Sequence, residues 1–244
     1  MEQEKKHLLQ SLYPPLMFLI AIWLIWLGEY FTGIDLGFLG IYPQTAKGLI
    51  GIITGPLVHA NISHLFANSV PLLVLGACLF YFYREIAYKT FVLIYFLTGI
   101  AVWLGAREAY HIGASGIVYG LASFLFFSGI FRRDIRLMAI TMFVTFLYGS
   151  MVWGIFPDMF PEKNISWESH LWGLIIGMLL AFYFRKEGPQ KKKYDWEDEE
   201  EDEEDEFEKK QAAFEEYYKK TRMSGKDPDN ISVKYHLRDN QEDY

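Results

Sequence analysis

The chain has 244 residues, a net charge of −7, and hydrophobic and aromatic fractions of 52% and 18%. Residues 1–193 hold 15 basic and 11 acidic residues, whereas residues 194–244 hold 8 and 19, which predicts an apolar membrane domain (1–190) followed by a polar, acidic tail (191–244). The single cysteine excludes an intrachain disulfide, and the absence of a basic patch interleaved with aromatic residues argues against a nucleic-acid partner.

Six apolar segments have the length and composition of membrane-spanning helices, which need about 20 mostly apolar residues. In chain order they are residues 16–31, 63–83, 88–104, 115–131, 137–156 and 167–184. The first is expected to be retained and not cleaved as a signal peptide, because no small-residue cleavage site follows its apolar stretch. The sequence therefore predicts an all-α, polytopic bundle of six transmembrane helices in the lipid bilayer.

The distribution of basic residues predicts that both termini are cytoplasmic. With the N-terminus inside, twelve Lys and Arg residues fall on the cytoplasmic side and three on the opposite side. The three are Lys47, Arg107 and Lys163. Cytoplasmic loops are the ones enriched in Lys and Arg. We therefore expect a multi-pass protein of the cell membrane.

Polar residues lie at the beginning of the second, fourth and sixth segments. His64 and Asn68 open the second, Ser115 opens the fourth between two glycines, and His170 opens the sixth. These three segments run in the same direction across the membrane, so their first turns share the outer leaflet. Polar groups at such a depth are costly and usually functional. A hydroxyl, an imidazole and hydrogen-bond donors at one depth indicate serine hydrolysis within the bilayer.

Glycine spacing predicts that the fourth and sixth helices pack closely. The fourth segment contains Gly116 and Gly120, and the sixth contains Gly173 and Gly177. Small residues four positions apart let membrane helices approach backbone to backbone. If the two stripes face each other, Ser115 and His170 lie near one interface.

Taken together, these motifs resemble the rhomboid family of intramembrane serine proteases. The resemblance covers about residues 12–186 and depends on His59, on three runs in the second, fourth and sixth segments, and on the six-helix count. The runs are His64-Leu65-Phe66-Ala67-Asn68, Gly113-Ala114-Ser115-Gly116-Ile117-Val118-Tyr119-Gly120 and Ser169-His170-Leu171-Trp172-Gly173.

The resemblance implies an endopeptidase that cleaves transmembrane or juxtamembrane segments of other membrane proteins, without a metal or cofactor. Ser115 would be the nucleophile and His170 its base. The oxyanion would be held by the Ser115 N–H and by the side chains of His64 and Asn68. Supporting roles fall to Tyr119, His59, Gly113, Gly116 and Gly173.

Two features depart from the family pattern. The first outer loop, residues 32–58, contains no arginine, and residues 78–82 in the second segment carry no charge. How this loop is anchored is therefore left open.

A further expectation concerns substrate entry. The bulky outer end of the fifth segment, with Trp153 and Phe156, and the loop 157–166 are expected to form the gate.

The tail is expected to be mostly unfolded. Residues 195–208 contain 12 acidic residues in 14, and like charges at this density repel. Aromatic residues farther along, among them Phe207, Phe214, Tyr217 and Tyr218, would suit a short amphipathic helix that binds a partner or the membrane surface. The basic run 191–193 suits the anionic inner leaflet.

Other interpretations of the same residues stay open. A membrane serine usually bonds the carbonyl four residues back, a membrane histidine often only packs, and Asn68 could join two helices. A zinc site is disfavoured, because His59 and His64 are five apart and no third ligand is apparent. Two other functions are compatible with the sequence. One is a catalytically silent rhomboid-like adaptor that binds membrane helices. The other is a small transporter, which the outer-leaflet position of the polar groups disfavours.

Overall fold

The structure is a computed structural model that describes residues 2–133, 166–188, 190 and 195–223, with isolated positions at 135, 138, 139 and 142. The helices in these residues are α1 (Glu2–Thr32), α2 (Gly51–Thr54), α3 (Ile62–Phe82), α4 (Ala87–Gly105), α5 (Ser115–Arg132), α6 (Trp167–Tyr183) and α7 (Asp195–Met223). Short 3₁₀ turns occupy Gly37–Leu39, Lys47–Leu49, Gly55–Leu57 and Phe184–Lys186. Within the described residues there is no strand, only an isolated bridge between Ile41 and His111.

Five described helices are long and apolar enough to cross a membrane, namely α1, α3, α4, α5 and α6. They coincide with the first four and the last of the predicted segments. The fifth predicted segment, 137–156, and the gate proposed around it lie outside the described residues. The all-helical, multi-pass architecture is confirmed to that extent.

The first helix is longer than predicted, because α1 begins at Glu2 rather than near residue 16 and contains Pro14 and Pro15. Glu2 and Glu4 lie in its first turn, where acidic side chains interact favourably with the helix dipole. Pro15 packs against Gly76 of α3, where a Cβ would lie 2.7 Å from the proline Cβ. Packing against a neighbouring helix thus lets the proline pair stay inside α1.

The core surrounds α5, which contacts α3, α4 and α6. Ile117, Leu121 and Phe124 of α5 are buried with apolar residues of the neighbouring helices. By contrast, α1 has few buried residues and exposes Leu16, Leu24 and other large apolar side chains. This exposure is what lipid contact requires. The helix that begins at Ser115 is therefore the most enclosed of the five described membrane helices.

The loop between α1 and α3 is anchored by backbone and indole hydrogen bonds to α4 and to the α4–α5 loop. Ile41 and His111 exchange backbone bonds of 2.9 and 2.8 Å, and Gly113 N–H donates to the Gly55 carbonyl at 2.9 Å. The Trp103 indole donates to the Thr45 carbonyl at 2.9 Å. These bonds show how the loop is anchored without an arginine: main-chain groups and one indole hold it.

Contacts divide the chain into two compact units, residues 1–191 and 192–244. In the second unit, Asp195–Met223 forms the helix α7, where we expected a mostly unfolded segment. The helix has local support, since Lys210 pairs with Glu206 at 3.0 Å and the rings of Phe214 and Tyr218 lie 4.9 Å apart. Pairs four residues apart stabilise helices. Phe207, Phe214 and Tyr217 are exposed on α7.

Candidate active site

Ser115 is the first residue of α5, and the turn before it requires glycine. Gly113 has φ +103°, and a Cβ at this position would lie 2.6 Å from His64 Cε1 and 3.7 Å from Asn68 Nδ2. Ser115 is 9% exposed. The loop therefore runs directly against the side chains of His64 and Asn68, and only a residue without a side chain fits there.

The beginning of α3 explains why His64 and Asn68 face this loop. Asn61 caps the helix by accepting the His64 backbone N–H at 2.8 Å, which satisfies a donor in the first turn. The Asn68 amide donates to the His64 carbonyl at 3.1 Å, one turn farther along. Asn68 is buried and His64 is half-buried. Both side chains thus lie on the α3 face toward Gly113.

His59, just before α3, contacts the same loop. Its ring centroid lies 5.1 Å from that of His64. The Ala114 backbone N–H donates to His59 Nε2 at 3.4 Å, and Nδ1 lies 3.4 Å from the Leu57 carbonyl. Nε2 can accept only in the neutral tautomer that carries its proton on Nδ1. Burial and the neighbouring His64 lower the pKa of His59 from 6.5 to about 4, which favours that neutral ring.

His170 lies in the first turns of α6 and is 8% exposed. The ring of Tyr119 stacks on it, with centroids 4.2 Å apart and planes inclined by 10°. Tyr119 follows Ser115 by one turn on the same helix face. The imidazole therefore packs against α5 next to the turn that carries Ser115.

The two glycine stripes do face each other. A methyl group added at Gly173 would overlap the Gly116 carbonyl oxygen, and one at Gly177 would overlap the Gly120 carbonyl oxygen. The α5 and α6 backbones are thus in direct contact at two successive turns. This part of the prediction is confirmed by the geometry.

The starts of α3, α5 and α6 thus bring together one set of polar side chains and close glycine contacts. The set comprises His59, His64, Asn68, Ser115, Tyr119 and His170, with Gly113, Gly116 and Gly173. In the described part of the chain, no three His, Cys, Asp or Glu side chains are grouped so that they could hold a metal ion. The catalytic roles assigned to these residues stay predictions.

The structure adds four residues that sequence reasoning did not assign to the site. Arg107 Nε lies 3.4 Å from Glu168 Oε1, and Glu168 is 4% exposed. His111 Nδ1 lies 2.5 Å from Ser166 Oγ. A carboxylate in the first turn of an apolar segment was the signal that could have revealed Glu168. Burial lowers the pKa of His111, while the Arg107 carbonyl and the Glu168 carboxylate partly oppose the shift.

Comparisons with known proteins identify the family and relatives of this chain. The family model of the Rhomboid domain matches residues 46–187. An uncharacterized protein of Mycobacterium tuberculosis, Rv1337, is 33% identical over 183 residues, which cover 72% of this chain and 75% of the relative. An uncharacterized Mycobacterium leprae protein, ML1171, is 32% identical over 188 residues and 72% of each chain.

A Bacillus subtilis protein named "Putative rhomboid protease YdcA" is 28% identical over 187 residues, which cover 70% of this chain and 88% of the relative. The matched Rhomboid domain begins in the loop between α1 and α3 and ends just past α6, so it includes α3, α5 and α6 with all the polar residues described above. The chain therefore belongs to the rhomboid family.

Proposed function

We propose that this protein is an intramembrane serine endopeptidase that cleaves transmembrane or juxtamembrane segments of other membrane proteins through Ser115 and His170. The observation that carries the proposal is the stacking of Tyr119 on His170 at 4.2 Å. Tyr119 and Ser115 share one face of α5, so a ring held against Tyr119 is next to the serine. Family membership supports the same reaction.

In the proposed reaction, the Ser115 hydroxyl gives its proton to His170 as its oxygen bonds to the scissile carbonyl carbon. The resulting tetrahedral intermediate collapses, the C–N bond breaks, and His170 gives the proton to the leaving amine. Water then attacks the acyl ester and gives a proton to His170. The ester C–O bond breaks, and the proton returns to the Ser115 oxygen.

The developing oxyanion needs donors that are already oriented. We assign these to the Ser115 backbone N–H and to the side chains of His64 and Asn68, which lie against Gly113. A helix N-terminus favours negative charge, because its first N–H groups have no partner within the helix. His59 supports the site indirectly by accepting the Ala114 N–H.

The polar site is near the ends of the helices that we place in the outer leaflet, with both termini in the cytoplasm. Substrates are therefore expected to be membrane proteins whose segments can unwind near that surface, because a peptide bond inside a helix cannot reach Ser115. The lipid bilayer is the environment of both enzyme and substrate.

Labelling with a serine-reactive fluorophosphonate, together with cleavage of a transmembrane substrate in detergent, tests the proposal. The wild-type chain should label, and Ser115→Ala should lose both labelling and cleavage while keeping its thermal stability. Ser123→Ala is the matched control in α5, since Ser123 donates to the Leu174 carbonyl at 2.6 Å; it should label normally. Equal labelling of wild type and Ser115→Ala would refute the assignment, and a wild-type chain that never labels would favour the adaptor or transporter alternatives.

A further inference from the structure

Two side-chain links join the first turn of α6 to the loop between α4 and α5. One is the ion pair between Arg107 and Glu168, at 3.4 Å. The other is a hydrogen-bonded chain from His111 through Ser166 to Ser169, with distances of 2.5 and 2.6 Å. We call Arg107, His111, Ser166, Glu168 and Ser169 together the loop–helix network.

In this series of hydrogen bonds, each serine hydroxyl donates toward the His111 ring. His111 Nε2 lies 3.0 Å from the Arg107 carbonyl, and a carbonyl only accepts, so Nε2 carries the proton. In a neutral ring Nδ1 then accepts from the Ser166 hydroxyl. The Ser166 oxygen in turn can accept from Ser169. His111 is thereby fixed on one side to its own loop and on the other to the residue before α6.

The ion pair is asymmetric in burial. The Glu168 side chain is 5% exposed, whereas that of Arg107 is 49% exposed. Among the described residues, neither carboxylate oxygen of Glu168 has a hydrogen-bond partner. A buried charge is costly unless an opposite charge compensates it. Glu168 therefore favours the arrangement of the loop that keeps Arg107 beside it.

The network lies beside both members of the proposed dyad. Arg107 and His111 precede Ser115 by eight and four residues, and Ser166, Glu168 and Ser169 flank His170. The Ser169 carbonyl lies against Gly116, where a Cβ would be 3.2 Å from it. The same loop thus leads into the serine and holds the start of the helix that carries the histidine.

Resting on the function proposed above, we propose that the loop–helix network positions the first turn of α6, and so the His170 ring, relative to Ser115. The network residues are positioning residues and do not touch the substrate. A displacement of about 1 Å between reacting groups can lower a rate by about 100-fold. Loosening the network should therefore reduce turnover without reducing substrate binding.

The ion pair gives the sharpest test. Glu168→Gln keeps the shape of the side chain and should lower kcat by about 10–100-fold with KM unchanged. Arg107→Gln should be worse, because it leaves the buried carboxylate without its counter-charge. Adding Glu168→Gln to Arg107→Gln should recover activity up to that of Glu168→Gln alone. Glu108→Gln, an exposed residue of the same loop, removes the same charge and should leave kcat unchanged.

The serine link supplies a second pair of variants in case Glu168→Gln does not fold. Ser166→Ala removes the hydroxyl that bonds His111 and should lower the rate of fluorophosphonate labelling, whereas Ser166→Thr keeps a hydroxyl and should restore it. Hydrogen exchange of amides 167–171 should accelerate in Ser166→Ala but not in Ser166→Thr. A purely structural role would lower stability without changing the labelling rate of the folded fraction.

The outcomes separate the two proposals. If wild type labels and the folded variants label equally fast, or if exchange of residues 167–171 is unchanged, the positioning role is wrong and the protease proposal stands. If wild type does not label at Ser115, the protease proposal fails and the positioning role fails with it.

Discussion

The two ends of α5 both bury polar side chains, but they do so differently. At the C-terminal end of α5, called the inner end after the proposed orientation, Arg132 is 6% exposed. Its Nε donates to Ser128 Oγ at 2.9 Å, and one terminal nitrogen donates to the Phe184 and Glu187 carbonyls at 2.7 Å each. At the outer end, Ser115 is buried to a similar degree. Its neighbours come from three helix starts and a loop, and they meet through ring stacking and close backbone contact.

Polar groups that are equally buried at the two ends of α5 thus have different roles. The inner cluster hydrogen-bonds carbonyls in the turn just after α6, as a basic residue near a helix C-terminus does. It joins α5 to α6 and contributes stability. The outer cluster holds His64 and Asn68 against Gly113 and Tyr119 against His170, and contributes geometry. Substitutions at the inner end should therefore change stability, and substitutions at the outer end should change the reaction rate.

The largest effect is expected at the outer end. Ser115→Ala and His170→Ala should each lower proteolysis by about 10⁴–10⁶-fold, and the double variant should be no slower than the worse single one, because residues that act as a unit are not additive. Single-turnover cleavage of a fluorescent transmembrane substrate measures this. A double variant slower by the product of the two single effects would show that the residues act independently.

At the inner end, the expected effect is on stability. Arg132→Met should reduce the free energy of unfolding by about 2–4 kcal/mol, because it removes the hydrogen bonds from the buried guanidinium to Ser128 Oγ and to the Phe184 and Glu187 carbonyls. Thermal unfolding in detergent measures the change, and the labelling rate of the folded fraction should stay within about twofold of wild type. The neighbouring Arg133 is exposed, so Arg133→Met is the matched control and should unfold as wild type does. If Arg132→Met slowed labelling with little change in stability, the contrast between the two ends would be wrong.

The smallest effect concerns pH at the outer end. The folded protein holds His59 with a pKa of about 4, against 6.5 as its usual value, and burial also lowers the pKa of His111. Stability should be constant above pH 6.5 and fall as the pH decreases from 6.5 toward 4, because the unfolded chain takes up protons before the folded one. His59→Gln should flatten the fall in melting temperature over this range. An unchanged slope would show that His59 is not held neutral.

The sequence was sufficient to predict the elements that depend on local pattern. The apolar segments predicted the starts of α3, α5 and α6 to within one residue, and the Gly116 and Gly173 stripes indicated the contact of α5 with α6. Glu168 and Arg107 were missed as partners, because residues 61 positions apart meet only through the path of a loop. That path depends on main-chain bonds such as Ile41 with His111, which carry no side-chain signature.

The differences in the helices have local causes as well. The apolar stretch predicted a first helix from residue 16, whereas α1 begins at Glu2 and includes Pro14 and Pro15, and Pro15 packs against Gly76. In α7, the density of negative charge predicted an unfolded segment, whereas residues 195–223 are rich in Glu and Lys, which have high helix propensity. Composition described the charge of this segment correctly but not its conformation.

The contact between Gly116 and Gly173 has a mechanical consequence. Two backbones that touch without intervening side chains have no soft layer that could be compressed or repacked, so α5 and α6 should move as one rigid body. Any motion that admits a substrate must then occur elsewhere in the bundle. With the first turn of α6 held by the loop–helix network, Ser115 and His170 would keep their separation while the rest of the protein fluctuates, and part of the entropy of aligning them is lost at folding rather than in each turnover.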